Sequence, residues 1–507
     1  MNRTNSLLLT LLLAPAGCAL LDPEPTGTEI QAVWKRIGTR TVPRMPAPER
    51  PPSSPGRDQA PKPSGADSHA EPDALPIDLA TALQLAGENN LTIRAAEAAV
   101  EEARGLETAA GARFLPTVAP GYAYFNRAGR TQNQRGDTFD ANRHNHRALN
   151  RTILSVNPAR AWLETLQARR VRRAGEFAEQ AARNDIGLLA AVQFFDFARA
   201  ARQIEVADEL VRQNEELVRI NRERVDRGVG LRVDLTRAEA RAAEAGQFLA
   251  EARAAYRIAE AGQFLAEARA AYRIAGIRLA DTLQLPAGTP LYPADPAAGP
   301  VVFVPTDASL DELQEQALAS NPTLKQQAML VSAAERAAEG AALEPLLPRL
   351  NLEAGHGGFG RVPGTMGWVE EYNIGFVWEL DGLGVGNAGR TRAARARLAG
   401  AELRAEESRR RLMALVAESY EEVRLQRSLL EVAARQVAAA EESYRLASNR
   451  LRGGTGLLLD VLDAQNQLVR ARVNRLNAVA EFNKAQYRLF NRLGNPAAPP
   501  SEAAAAK

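Results

Sequence analysis

The 507-residue chain is poor in several residue types, and each scarcity excludes a class of protein. A single Cys excludes an internal disulfide framework. The net charge is only +2 and Arg is interleaved with Glu, so nucleic-acid binding is not indicated. Beyond the N-terminus, no stretch approaches the ~20 apolar residues of a membrane-spanning helix. If the mature chain crosses a membrane, it must do so with strands.

The scarcity of aromatic residues, at 5%, contrasts with an abundance of Ala, Glu, Arg, Leu and Gln. These residue types are strong helix formers, so the composition favours long helices over globular layers. The chain is also too long for one compact core. We therefore expect several modules or one elongated shape.

The N-terminus carries an export signal. Arg3 precedes an apolar run from Leu7 to Ala14, and small residues lead into Cys18, which predicts a signal peptide over residues 1–17. Pro-Ala-Gly-Cys also resembles the lipobox of bacterial lipoproteins, although Leu is usual where Pro15 stands. The resemblance implies lipidation of Cys18. The alternative is a plain signal peptide with an unmodified Cys.

Residues 18–76 contain the Pro-rich stretch PRMPAPERPPSSPGRDQAPKPSG and too few apolar residues to bury a core. We predict a disordered linker here, with order beginning near Ile77, and a flexible tail over residues 495–507.

From Ile77 onward the chain contains an internal sequence repeat, and its two copies span residues 77–305 and 306–494. Two helical segments correspond, with Asn90 falling opposite Asn321. They stop at the matching phrases RFLPTV and PLLPRL, in which proline ends the helix. The matching order of features predicts an internal structural duplication.

Strand-like sequence follows each of these prolines. In the first half, residues 117–125 and 147–156 flank a polar loop; in the second half, RLNLEAG and EYNIGFVWEL alternate with period two. The clearest shared face consists of Tyr372, Ile374, Phe376, Trp378 and Leu380. We predict four strands per chain.

Each strand pair leads into a very long helix, starting near Pro158 and near Thr391. Apolar residues recur every seven positions in the first helix, at Ile204, Val211, Val218 and Val225. This period predicts helices supercoiled on one another, and ~70 residues make a helix about 100 Å long.

The long helices end at two phrases that align without gaps, GVGLRVDL (228–235) and GTGLLLDV (454–461). Their paired glycines predict a tight turn into a returning helix. Each half therefore follows the order helix, strand, strand, long helix, turn, helix.

Residues 244–275 contain the phrase EAGQFLAEARAAYRIA twice without a change. Removing one copy makes the distance from Asp234 to Leu283 in the first half equal to that from Asp460 to Leu493 in the second. We therefore interpret the repeat as a recent insertion. Sixteen residues at 100° each leave the apolar stripe of a helix ~160° out of phase.

The twofold repeat, the phrase FVWELDGLGVGNAGR and the phrase YRLASNRLRGGTGLLLDVLDAQNQLVRAR together resemble the TolC-like outer membrane efflux proteins. The resemblance covers Ile77 to Gly494. Four strands cannot close a membrane barrel, whereas three chains supply twelve. The expected fold is mainly α, with long antiparallel coiled-coil helices forming an α-barrel and a trimeric 12-stranded transmembrane β-barrel.

The resemblance implies a homotrimeric channel-tunnel in the outer membrane of a Gram-negative-type bacterium, with its helices in the periplasm. It would pass substrates from a periplasmic adaptor and an inner-membrane transporter, without catalysis or a cofactor. Two alternatives stay open: a periplasmic coiled-coil scaffold without a pore, and a family member impaired by its duplication.

By position, the resemblance also implies functional residues. The adaptor-contact tip would consist of Gly228, Val229, Gly230, Leu231, Gly454, Thr455, Gly456 and Leu457. Asp460 and Asp463, with Asp234, would line a channel constriction whose carboxylates attract cations. The alternative is that they are ordinary helix-start acids favoured by the helix dipole. Family tips are commonly locked by a Tyr and an Arg, and here Leu451 and Gly456 stand in their places, which predicts a weakly locked tip.

Two further motifs have features of functional sites. GVGNAG (384–389) has the spacing of a dinucleotide-binding loop, but the helix after it runs for some 60 residues, and no second strand with a ribose-binding acid follows ~20 residues on. We therefore expect a bend from strand to helix. His144 and His146 form an H-x-H in the predicted first hairpin loop. Without a third ligand in view, solvated histidines are expected there, and no metal site is predicted.

Overall fold

The structure is a computed structural model that describes residues 31, 75–227, 233, 236–243, 279–286, 289, 291–294, 299–453 and 455–496. Its elements are β1 (Leu75–Ile77), α1 (Leu79–Asn89), α2 (Leu91–Gly111), β2 (Thr117–Gln132), β3 (Thr138–Val156), α3 (Pro158–Asp226), β4 (Leu291–Pro293), α4 (Leu310–Ser320), α5 (Pro322–Leu343), β5 (Arg349–Gly360), β6 (Gly367–Val377), α6 (Val385–Arg452) and α7 (Leu458–Arg492). The expected mainly α fold with a small antiparallel sheet is confirmed. Within the described ranges, none of the helices has the length and apolarity needed to cross a bilayer.

Several predictions from sequence fall on residues outside the described ranges. These are the export signal with Cys18, most of the linker and the duplicated phrase at 244–275. The structure also does not describe the side chains of the predicted heptad residues, which are Ile204, Val211, Val218 and Val225.

The twofold repeat is visible in matched helix breaks. Between α1 and α2 the backbone of Asn90 is extended, with φ −67° and ψ 126°, and between α4 and α5 Asn321 has φ −63° and ψ 122°. Both side chains are buried. Asn90 Nδ2 donates to the carbonyl of Thr282 at 3.2 Å, and Asn321 Nδ2 donates to that of Arg492 at 3.2 Å. The two asparagines therefore perform the same structural task.

Four strands form one antiparallel sheet in the order β2-β3-β5-β6. The pairing runs without interruption, for example Thr117 with Ile153, Val156 with Leu350, and Arg349 with Val377. Within the described residues, β2 and β6 each have a neighbour on one side only. The sheet therefore presents two open edges.

The first hairpin is longer than predicted. The sequence suggested a polar loop between residues 125 and 147, whereas β2 and β3 pair as far as Gln132 and Thr138 around a short turn. His144 and His146 thus lie in β3, not in a loop. Backbone pairing continues here because the ladder needs hydrogen-bonding groups, not apolar side chains, so polar sequence did not mark its end.

Regular structure is already present at Leu75, two residues before the predicted start near Ile77, because Leu75 to Ile77 form β1, parallel to β4. The sequence did not predict β1, because three residues are too few to show the alternation of a strand and its partner β4 is over 200 residues away in the chain. Ile77 joins a buried cluster with Phe194, Leu279 and Tyr487. The helix after β6 also begins earlier than expected, at Val385.

The chain divides into two compact units. One includes Ala98–Phe177 and Thr323–Ser408, and so holds the sheet, with a helical core around Ala328, Val331 and Ala405. The other includes Ala178–Pro322 and Arg409–Lys507. Its cores include the cluster around Ile77 and a second cluster at the end of α6.

Candidate functional site

The two faces of the four-stranded sheet differ in chemistry. Residues paired directly across an antiparallel ladder share a face, and faces alternate along each strand. We call one the apolar face, and its residues include Val118, Tyr122, Tyr124, Leu154, Leu350, Leu352, Tyr372, Ile374 and Phe376. We call the other the charged face, and its residues include Arg127, Arg143, Arg147, Arg151, Arg349, Glu353 and Glu371.

The apolar face is exposed in the single chain. Ile374 is 73% exposed and Tyr372 is 72% exposed. A contiguous exposed apolar surface marks a place where something other than water is expected to lie.

An aromatic band crosses the apolar face at the level of the turn between β5 and β6, where Tyr122 and Trp368 lie in the same row of the sheet. The hydroxyl of Tyr122 lies 2.5 Å from Nδ1 of His146, whose ring is 4.8 Å from that of Tyr124. On the other hairpin, Trp368 Nε1 donates to Glu370 at 3.0 Å. Aromatic rings with polar tips suit a boundary between apolar and aqueous surroundings. Among the described residues, no group of three metal-ligating side chains accompanies the histidines.

The charged face carries ion pairs between strands. Arg151 Nε donates to Glu353 at 2.7 Å, and Arg147 reaches from β3 across β5 to Glu371 on β6. Gly355 and Gly357 occupy this face of β5, so no side chain obstructs that reach. Exposed pairs of this kind contribute about 0–1 kcal/mol each. Their main consequence is a hydrophilic surface.

The junction between β6 and α6 is a tight left-handed turn. Gly382, Leu383 and Gly384 have φ of 54°, 57° and 91°. Asp381 accepts from Arg390 at 2.8 Å, and a β-carbon on Gly386 would lie 2.4 Å from the Asp381 carboxylate. Gly384 and Gly386 of the GVGNAG motif therefore serve this strand-to-helix bend, as the sequence suggested, whereas Gly389 lies within α6 and a β-carbon there would meet nothing within 4 Å.

The turn between α6 and α7 is closed by backbone hydrogen bonds. The amides of Thr455 and Gly456 both donate to the carbonyl of Arg450 at 3.0 Å. Leu451 is 2% exposed and packs with Leu217, Leu458 and Val461. Position 451 thus supplies apolar packing, and position 456 supplies the space for the turn.

Asp460 and Asp463 lie at the start of α7. They are three residues apart, so they share one side of the helix, and both are exposed, whereas Leu458, Val461 and Leu462 are buried. Asp460 is in the first turn, where the helix dipole favours an acid. That effect fades beyond the first turn, so it does not account for Asp463. Leu457, immediately before α7, is described and exposed. The other predicted tip residues, Gly228, Val229, Gly230, Leu231 and Gly454, and the predicted constriction residue Asp234 lie outside the described residues.

Sequence reasoning missed a group of ion pairs that joins α3, α6 and α7 about four helical turns beyond the start of α7. Arg472 on α7 contacts Glu209 on α3 at 2.9 Å and Glu441 on α6 at 3.2 Å. Burial acts to lower the pKa of Arg472, but its hydrogen bonds to Glu209 and Glu441 and the attraction of their charges together outweigh burial, so the pKa is raised. Tyr444 lies nearby, and burial raises its pKa. No local pattern could reveal a contact among three separate helices.

Each half of the chain thus places a β-hairpin between a pair of helices and a helix of nearly 70 residues. The family model described as outer membrane efflux protein matches residues 82–263 and 313–495. The chain belongs to this family, whose members are efflux channels, not enzymes.

Solved structures share the fold. The CmeC outer membrane channel of Campylobacter jejuni is 15% identical, with a TM-score of 0.65 over 91% of this chain and 96% of that one. The open-state MtrE channel of Neisseria gonorrhoeae is 19% identical, with a TM-score of 0.63 over 82% and 89%. VceC of Vibrio cholerae is 16% identical, with a TM-score of 0.62 over 82% and 95%. A search of curated protein sequences found no significant match.

Proposed function

We propose that three copies of this chain form an outer-membrane channel that passively conducts substrates in a tripartite efflux or type I secretion system. A periplasmic adaptor and an inner-membrane transporter would supply the substrates. Family membership supports the class of protein. The single observation that carries the proposal is the opposite chemistry of the two sheet faces.

Those faces suit a wall between lipid and water. Three four-stranded sheets joined at their open edges give twelve strands, and closure pairs the backbone groups left over at β2 and β6. The apolar face would then contact lipid, and the charged face would line an aqueous lumen.

The remaining assignments, made from the sequence, belong to the same proposal. We place the sheet in the outer membrane and the helices in the periplasm. Residues 1–17 are the export signal, 18–76 a linker anchored at a lipidated Cys18, 77–305 and 306–494 the two repeats, and 495–507 a tail. The family match in two segments supports the two repeats.

At the helical tip, we propose that Asp460 and Asp463, with Asp234, form the channel constriction. The glycine turns at 228–231 and 454–457 would contact the adaptor. Support comes from the position of both carboxylates on one exposed side of α7, without an ion-pair partner among the described residues.

Ion selectivity in planar lipid bilayers tests the constriction. The double variant Asp460→Asn with Asp463→Asn should lower the preference for potassium over chloride, because charge rings select ions by sign. Glu407→Gln removes an exposed carboxylate of α6 and serves as the matched control. Unchanged selectivity in the double variant would reject the ring. Purified wild-type protein that never conducts would reject the channel.

A further inference from the structure

Two arginines face each other directly on the first hairpin. Arg127 of β2 pairs in register with Arg143 of β3, and both side chains are exposed. Their position is on the charged face, beyond the part of β3 that pairs with β5. Like charges directly opposite on neighbouring strands destabilise the pairing.

The other arginines of the charged face are neutralised. Arg147 pairs with Glu371, Arg151 with Glu353, and Arg349 with Glu379. Arg127 and Arg143, by contrast, make neither an ion pair nor a side-chain hydrogen bond within the part of the chain that the structure describes.

No acid lies near them on the same face. The flanking positions of that face are Phe125 and Gly129 on β2, and Ala141 and Asn145 on β3. Two acids lie farther towards the turn: Asp140 is in register with Arg130 on the opposite face of the hairpin, and Asp137 lies in the turn itself, hydrogen-bonded to Asn133. The hairpin therefore concentrates two uncompensated guanidinium groups on one side.

We propose that Arg127 and Arg143 form a binding site for small polyvalent anions, such as phosphates or polycarboxylates. Paired guanidinium groups supply the charge-assisted, fork-shaped donors that such anions accept. The inference rests on the proposed function for its setting: in a trimer, six guanidinium groups would ring the hairpin end of the lumen. The charge of that ring would be positive, whereas the charge of the proposed ring of Asp460 and Asp463 is negative.

Inorganic pyrophosphate is the probe, used with the purified full-length protein. In titration calorimetry, Arg127→Gln with Arg143→Gln should weaken pyrophosphate binding by roughly tenfold or more. In bilayers, the same variant should lose block by pyrophosphate and admit less chloride relative to potassium. The conservative pair Arg127→Lys with Arg143→Lys should keep most of the wild-type chloride permeability. Arg130→Gln, on the opposite face of the same strand, is the matched control and should change neither readout.

The outcomes separate the two proposals. Binding of pyrophosphate that depends on Arg127 and Arg143, in protein that never conducts, would reject the channel and leave the anion site standing. Conducting protein whose pyrophosphate block and binding survive the double substitution would overturn the anion site alone. Equal losses in the Arg130→Gln control would also overturn it, because the effect would then come from net charge.

Discussion

Among single residues, Gly456 shows how a turn can depend on a missing side chain. A β-carbon at this position would lie 2.8 Å from the backbone nitrogen of Leu451, and backbone cannot move aside cheaply. We expect Gly456→Ala to destabilise the protein by about 1–3 kcal/mol, seen as a lower thermal midpoint of helical circular dichroism. At Gly299 a β-carbon meets nothing within 4 Å, so Gly299→Ala is the control. Equal midpoints for the two variants would contradict the steric argument.

Burial lowers the pKa of Lys325 on α5. The folded state therefore binds this proton less tightly than the unfolded state, and stability rises with pH between the folded pKa and the ordinary lysine value of 10.5. We expect Lys325→Met to be more stable than wild type at pH 7, with the advantage shrinking as pH approaches that value. Thermal midpoints of both proteins at several pH values measure it. A constant difference across pH would show that the charge is not the cause.

Lys484 on α7 provides a contrasting lysine. Its side chain is 7% exposed, and its Nζ lies 2.5 Å from Asp196 and 2.8 Å from Glu481. Removing one partner of a shielded pair leaves the other charge uncompensated. We expect Lys484→Met to lower the thermal midpoint at pH 7, opposite in sign to Lys325→Met. A rise in the midpoint would contradict this expectation.

For whole elements, strand β6 tests which sheet face meets lipid. Ile374 and Asn373 are neighbours, both exposed, on the apolar and charged faces respectively. Arg facing lipid near the bilayer midplane costs about 2–4 kcal/mol, whereas Arg facing a lumen is tolerated. We expect Ile374→Arg to reduce the yield of heat-resistant trimer in membranes and Asn373→Arg to leave it near wild type. Equal yields, or the reverse order, would refute the assigned faces.

Helix breaks and bends are further properties of whole elements. The equivalence of Asn90 and Asn321 was visible in the aligned halves, because each precedes a second helical segment. Their task was not, because each side chain satisfies a carbonyl far along the chain, 192 residues away for Asn90. A buried carbonyl needs a donor, so substitution at either position would affect two elements at once.

At the scale of the whole molecule, the duplicated phrase sets an assembly question. Removing residues 260–275 restores equal length between the two halves and the phase of the apolar stripe. We expect the shortened chain to assemble at least as well as wild type. Electron microscopy of both purified proteins, with images classified for symmetry, should show threefold tapered tubes. The tubes should form either from wild type and the shortened chain alike or from the shortened chain alone. Tubes formed by wild type alone would show that the extra residues are required.

Features set by neighbouring residues, such as helix ends, turns and parts of the strands, were predictable from sequence alone. Proline ended helices, glycines marked the turns, alternation marked parts of the strands, and self-comparison revealed the repeat. These signals are local because backbone conformation responds first to adjacent side chains. The polar stretch of the first hairpin lacked such a signal, so His144 and His146 were assigned to a loop.

Only the tertiary structure decided which distant residues meet. It paired β1 with β4, brought Arg472 to Glu209 and Glu441, and placed Arg127 directly opposite Arg143. The sequence suggested a polar loop at Arg143, so it indicated neither a face shared with Arg147 and Arg151 nor which of these arginines would find a carboxylate. Strand order and register settle that question, because ion pairing requires approach within a few ångströms and chain distance says little about it.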